Sequence, residues 1–195
     1  MTSLFIDTLT GKQTHSVPCW FMRQAGRYLP EYLELRQKAG DFLTLCYTPE
    51  YAAQVTLQPI ERFDMDAAII FSDILVIPDA LGVDVKFVKG EGPKLAPITS
   101  IDDIKALSFE QFHNHLSPVY EALRITKSKL ADDKALIGFA GSPWTLACYM
   151  IEGGGSKQFN QIRGFCYQQP DAFAQLIDIL VEAIITYLGQ KIESG

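Results

Sequence analysis

Pro18-Cys19-Trp20-Phe21-Met22-Arg23-Gln24-Ala25-Gly26-Arg27-Tyr28-Leu29-Pro30 opens as an apolar run and closes on two arginines around a glycine. Residues 17–22 read as a buried first strand, because Cys19 to Met22 offers water nothing polar. Arg23 and Arg27 belong outside such a core: a guanidinium does not deprotonate and is costly to bury unpaired. If the segment after the strand turns helically, the two share a face and repel. No acid follows until Glu31. The pair therefore expects either a distant carboxylate, as an internal salt-bridge staple, or an anionic ligand, for which arginine's planar fork is suited.

Working outward, residues 1–16 are polar and peripheral. Residues 28–38 carry helical spacing, with Pro30 tolerable in a first turn and Gly40 as the stop. Thr48-Pro49-Glu50 is a helix start, and that helix runs to about Phe63. Ala67 to Phe71 is a continuous apolar run that suits a parallel strand buried on both faces. Residues 83–99 read as a small hairpin, Ser100-Ile101-Asp102-Asp103 opens a helix, and residues 116–130 read as another. Residues 135–141 form a third strand. Ser142-Pro143 starts a helix that Gly153-Gly154-Gly155 ends, and helices follow at 156–168 and 171–192. Strands alternating with helices give an α/β fold of βα units around a parallel sheet. The chain reads as one domain, residues 1–195.

The 195 residues, 48% hydrophobic and 21% charged, describe an ordinary globular protein large enough for a sizeable core. A net charge of −6 argues against a nucleic-acid or anionic-membrane surface. No secretory leader and no run of the ~20 apolar residues a membrane span needs is expected. Cys19, Cys46, Cys148 and Cys166 are scattered, which fits reduced thiols in the cytoplasm and no metal site. His113 and His115 read as solvated loop residues. Gly153-Gly154-Gly155-Ser156-Lys157 lacks the spacing of a phosphate loop and reads as a helix stop.

In parallel α/β folds the working residues lie just past the strand C-termini. Those positions hold Arg23 to Arg27, then Ser72 and Asp73, then Gly141, Ser142 and, farther along the helix, Tyr149. Asp73 is open to a second reading as the cap of a helix starting near Ile74. Tyr149 is equally readable as a core aromatic with a satisfied hydroxyl. These residues suggest a cofactor-free pocket that reads carboxylates through arginine, with an acid opposite. They do not reach a reaction.

Trp20 to Tyr32 resembles the N-terminal signature of the uroporphyrinogen decarboxylase family. Gly138-Phe139-Ala140-Gly141-Ser142-Pro143-Trp144-Thr145-Leu146-Ala147-Cys148-Tyr149-Met150-Ile151-Glu152-Gly153 is similar to its second signature. Between them Ile69 to Val76 looks like its aspartate segment. The resemblance implies a (β/α)8 TIM-type barrel, usually a homodimer, of which this chain holds only the front part. It implies decarboxylation of the four acetate arms of uroporphyrinogen III to methyls, giving coproporphyrinogen III in haem biosynthesis, with no metal or organic cofactor. Asp73, Arg23, Arg27 and Tyr149 take the catalytic roles it implies. Arg23, Gln24, Ala25, Gly26, Arg27, Asp73 and Tyr149 bind the tetrapyrrole, and Phe139 and Tyr32 form apolar wall.

Length sets this chain apart from the family pattern. Only two of the parallel strands beyond the first are legible, a barrel of this type needs ~250 residues, and the family's pocket histidine is not His15, His113 or His115. The expectation is a front half truncated on its C-terminal side, not competent alone. Two other readings compete: a fold-related methyltransferase using zinc or a corrinoid, against which Arg23-Gln24-Ala25-Gly26-Arg27 speaks, and a non-catalytic tetrapyrrole-binding fragment.

Overall fold

The computed structural model describes residues 3–195; the first two residues of the stretch expected to be peripheral lie outside the described residues. In chain order the elements are α1 (Leu4–Leu9), α2 (Pro30–Ala39), α3 (Phe42–Tyr47), α4 (Pro49–Phe63), β1 (Ala67–Ile69), α5 (Val76–Ala80), β2 (Val85–Val88) and β3 (Gly92–Leu95). They continue as α6 (Ile101–Lys105), α7 (Phe112–Lys129), β4 (Ala135–Ile137), α8 (Pro143–Glu152), α9 (Asn160–Gln168) and α10 (Pro170–Ser194). Two compact units emerge: residues up to 72 with 118–139 and 191–195, and residues 73–117 with 140–190.

The first unit is built on β1 and β4, which pair in parallel with Ala67 opposite Ala135 and Ile69 opposite Ile137. Ala135 N–H to the Asp66 carbonyl and Ile70 N–H to the Ile137 carbonyl, each 3.0 Å, extend the ladder at both ends. Ala67, Ala68 and Ile70 are buried, as a parallel strand covered on both faces requires. Pro49 occupies the first turn of α4, and Pro59 sits buried within it. Thr56 on that helix donates to the Ala52 carbonyl (2.7 Å) and accepts from Phe71 N–H (2.8 Å), so its buried hydroxyl is satisfied twice. Leu29, Tyr32, Leu35, Leu45 and Val55 form one core cluster, which holds α2 and α3 on α4.

Residues 17–22 do not form the expected strand. Only Cys19 pairs: its N–H donates to Asp66 Oδ2 (2.7 Å) and its carbonyl accepts from Asp66 N–H (2.9 Å). Cys19, Phe21 and Met22 are exposed rather than inside, and Val17 is 89% exposed. The edge of β1 away from β4 is taken by a side chain. Gln24 Nε2 donates to the Ala67 carbonyl (2.8 Å), and Gln24 Oε1 accepts from Ile69 N–H (3.2 Å). A neighbouring parallel strand offers the same donor–acceptor pair through the N–H and C=O of one residue. With the amide in place, the backbone of residues 23–29 is free to turn. It does so without a helix, closing through Leu29 N–H to the Gly26 carbonyl (3.0 Å). Strand propensity was present; a ladder partner was not.

Lys191, near the end of α10, is buried in the first unit. Its Nζ donates to the Phe139 carbonyl (2.9 Å) and lies 4.9 Å from the centre of the Phe139 ring. Burial pulls its pKa down to about 7.

The second unit holds the hairpin, with β2 and β3 antiparallel and Val85 opposite Leu95. Ser100 and Asp103 close a capping box at α6. Ser142 caps α8 by accepting from Thr145 N–H, Pro143 sits in the first turn, and Gly153 ends the helix in the left-handed region at φ 71°. His115 and His113 lie on α7 rather than in a loop. His115 Nε2 is 2.6 Å from Asp79 Oδ2, a partner 36 residues away. The expected helix at 156–168 begins only at Asn160. α10 is long and apolar enough to cross a membrane by length and composition, contrary to the expectation of no such stretch. Its Leu176, Leu180, Ala183 and Tyr187 are all buried, at the spacing of a core-facing helical stripe.

Two outcomes check this fold. Gln24→Leu keeps bulk but leaves the Ala67 carbonyl and Ile69 amide unpaired. A loss of about 2–4 kcal/mol is expected, read as a lower urea midpoint at unchanged m. For Lys191, folding lowers the pKa from an ordinary value of about 10.4. Between that value and about 7 the unfolded chain holds a proton the folded chain has released. Stability therefore rises with pH across this window and is lowest beneath it. Lys191→Met is expected to flatten that dependence in thermal melts taken at pH 6 to 10.

Candidate functional site

The residues singled out by sequence are divided between the two units. In the first, Arg23 and Arg27 flank Gln24 on the turn that leaves the β1 edge. Both are exposed. Neither makes an ion pair or hydrogen bond among the described residues. The intramolecular staple is thus not what the described residues form, and both forks are left for solvent or an anion. Gln24, expected among the substrate contacts, has both amide atoms engaged by the protein itself, and its Nε2 also lies 2.9 Å from Met65 Sδ. Gly26 supplies the carbonyl that closes the turn. Ala25 packs on the cluster of Leu29, Tyr32, Leu35, Leu45 and Val55, so the arginine turn is fixed to the core on one side. Tyr28 is anchored too: its hydroxyl donates to the Gln24 carbonyl, and its ring stacks on Phe63 with centroids 6.3 Å apart. Ser72, where the apolar run of β1 ends, has a buried hydroxyl with no hydrogen-bond partner among the described residues.

In the second unit Asp73 Oδ1 accepts from Leu75 N–H at 2.8 Å. The capping reading is not realised: α5 starts at Val76 with Leu75 as its N-cap and no side-chain cap bond, and Asp73 instead makes a local turn bond two residues on. It uses one oxygen. Oδ2 accepts nothing among the described residues. Burial pushes the Asp73 carboxyl above the ordinary carboxylate range, with the Leu75 amide pulling the other way. Such a carboxylate is poised to accept a hydrogen bond from a cation or an N–H donor. Tyr149 sits on α8, half-buried, and its carbonyl accepts from Gly154 N–H (3.1 Å). No hydrogen bond joins Asp73 to Tyr149. Gly141 needs its missing Cβ, because that atom would stand 2.7 Å from Leu146 Cδ2.

The end of α8 is tied to the hairpin. Leu95 N–H donates to the Gly153 carbonyl (3.0 Å) and Ile98 N–H to the Met150 carbonyl (2.8 Å). Gly154 lies at φ 152°, and a Cβ there would stand 2.8 Å from the Pro93 carbonyl oxygen. A cavity of about 270 Å³ opens beside this turn, walled by Trp144, Tyr149 and Phe159. The sequence reading took Gly153 to Lys157 for a plain helix stop and missed this wall. The available signal was Ser156 three residues before Phe159, a spacing at which a serine oxygen reaches the later amide; Phe159 N–H does donate to Ser156 Oγ at 3.0 Å.

Parallel pairing of β1 with β4 and a sheltered carboxylate just past β1 place the chain among α/β proteins built from βα units. A family model described as uroporphyrinogen decarboxylase (URO-D) matches residues 1–195. The chain belongs to the uroporphyrinogen decarboxylase family. It is 53% identical over 192 residues to the uroporphyrinogen decarboxylase of Nitrosococcus oceani, covering 98% of this chain and 54% of that protein. It is 50% identical over 191 residues to that of Rhodospirillum rubrum, covering 98% of this chain and 55% of the relative. The chain thus spans about half the length of the curated relatives it matches. A methyltransferase from Methanosarcina mazei superposes with a TM-score of 0.78 at 20% identity, covering all of this chain and 57% of that one. At that identity the likeness concerns the fold alone.

Gly154→Ala tests the latch. Forcing a Cβ toward the Pro93 carbonyl is expected to cost about 1–3 kcal/mol. Faster hydrogen exchange at Leu95, whose amide reaches the neighbouring Gly153, is the local readout.

Proposed function

We propose that residues 1–195 supply the front part of a uroporphyrinogen decarboxylase whose (β/α)8 barrel is completed in a polypeptide of the relatives' length. The observation that carries this reading is the family match over the whole chain, joined to relatives bearing that name at about half identity. The reaction removes CO₂ from four acetate arms of uroporphyrinogen III and leaves methyls. A cytoplasmic homodimer without metal or organic cofactor accompanies this reading.

The chemistry asks for an electron sink. Protonation of a pyrrole α-carbon makes the ring cationic. The bond from the acetate methylene to its carboxylate then breaks, its electron pair enters the ring, and CO₂ leaves. A proton added to the exocyclic methylene gives the methyl, and loss of the first proton restores the pyrrole. Asp73 fits the stabilising role. One oxygen is held by Leu75 N–H, and the other accepts pyrrole N–H bonds as positive charge develops. Fixed charge of this kind is often the largest catalytic contribution. Arg23 and Arg27 hold carboxylate arms, with no competing acid to displace among the described residues. Tyr149 bonds substrate from α8. Gln24 contributes by holding the arginine turn on the sheet edge.

The test joins residues 1–195 to the later part of the Nitrosococcus oceani relative, in place of its own matching segment. Conversion of uroporphyrinogen III to coproporphyrinogen III with release of CO₂ is expected. Asp73→Asn is expected to lower kcat at least about 100-fold. It should not lower the melting temperature at pH 7, because a carboxyl whose pKa folding raises costs stability when ionised. A folded chimera without turnover, or one indifferent to Asp73→Asn, would refute the reading.

A further inference from the structure

Phe159 adopts φ 54°, one of two non-glycine residues in the left-handed region among the described residues. The other, Asp64, ends α4, where such a conformation is ordinary. Phe159 precedes α9, and bulky aromatics seldom sit there. Its conformation is held by N–H donation to Ser156 Oγ and leaves the ring on the wall of the 270 Å³ cavity, 40% of the residue exposed. Trp144, also on that wall and about half exposed, is fixed from behind by edge-on contact with Phe173, centroids 5.9 Å apart at 74°. The third aromatic is Tyr149. The floor is the Gly154–Ser156 turn. The Ser156 amide donates to no acceptor among the described residues, while Gly155 N–H faces the Pro93 carbonyl in the antiparallel bridge between Lys94 and Gly154. Lys157 follows, exposed and without an ion pair among them.

Three aromatic side chains, one unclaimed amide and a neighbouring cation describe one kind of guest: a flat electron-rich ring carrying a carboxylate. Sites for whole drug-sized ligands run to about 300–1,000 Å³. This cavity therefore suits one ring and its arm. We infer that the cavity between α8 and the Gly154–Ser156 turn is a binding subsite for a single pyrrole of the substrate. Trp144 and Phe159 grip the ring, and the Ser156 amide, with Lys157 next along the chain, takes a carboxylate arm. The inference rests on the proposed tetrapyrrole reading for its ligand, and on the cavity's own geometry for its existence. Phe159 and Trp144 act in binding, away from the reacting acetate.

Phe159→Gly isolates the ring's contribution, because glycine accepts positive φ without strain and the variant should melt no lower than the parent. In the chimera described above, KM for uroporphyrinogen III is expected to rise about tenfold on loss of the stacking face, with kcat within about twofold. The Kd for porphobilinogen, a monopyrrole with one acetate and one propionate arm, is expected to rise by a similar factor in isothermal titration. Phe159→Tyr should restore both. Unchanged KM and Kd in Phe159→Gly would overturn the subsite while leaving the decarboxylase reading intact. Phe159-dependent binding of the monopyrrole by a chimera that does not decarboxylate would support the subsite and refute that reading.

Discussion

One side-chain amide decides how this chain begins. The edge of β1 away from β4 presents a carbonyl at Ala67 and an N–H at Ile69, and both need partners because the strand is buried. Gln24 answers both from a single amide, 2% exposed. No other residue type except asparagine carries a donor and an acceptor in the relative placement of a peptide. The bond also fixes geometry. Arg23 is the neighbour of Gln24 and Arg27 follows within the same turn, so the residues that face outward are positioned by the one that faces inward. Scaffold and proposed binding surface are the same short segment.

Polar groups in the first unit separate into satisfied and waiting ones. Thr56 is used twice, and Lys191 has a carbonyl and a ring. Arg23, Arg27 and the Ser72 hydroxyl are left without partners among the described residues. Asp73, next along the chain, keeps one oxygen uncommitted. Natural folds usually satisfy buried polar groups; Gln58, Arg36 and Ser3 also carry buried atoms without partners among the described residues, and of these groups only the Ser72 hydroxyl lies just past β1. The overall negative charge does not oppose an anion at Arg23 and Arg27, because a local guanidinium pair acts at contact distance while the diffuse field is screened.

Much of the architecture was legible because its signals are local. Ser142-Pro143, Thr48-Pro49 and the Ser100–Asp103 box each announce a helix within four residues, and the glycines near residue 90 announce the hairpin. The misreadings have a common physical origin. An apolar run such as residues 18–22 reports propensity, yet a strand exists only when another backbone supplies the ladder. Here a glutamine side chain supplied it to β1 instead. His115 is exposed, as a solvated residue should be, but it stands on a helix and its partner Asp79, 36 residues away, left no local signal. Asp73 was legible as either cap or site residue; it caps no helix, and one oxygen closes a local turn on Leu75 N–H while the other accepts nothing among the described residues.

The second unit stores its irregularities in one place. Gly154, which a Cβ would drive into the Pro93 carbonyl, and Phe159, held left-handed by Ser156, both border the cavity beside α8. Phe159 departs from the backbone its residue type favours, at a cost of order 1 kcal/mol or more, whereas Gly154 stands where only the absence of a Cβ lets the chain approach the Pro93 carbonyl. Helix ends elsewhere in the unit close in ordinary ways, so the turn had conventional alternatives. A plain stop after Glu152 would have needed only Gly153, already left-handed at φ 71°. The longer turn latches the hairpin to α8 through backbone pairing at Gly153 and Gly154 and leaves an aromatic ring on the cavity wall. A fold retains locally unfavourable backbone when the surrounding contacts over-determine it, and here those contacts all bear on the segment that carries Tyr149.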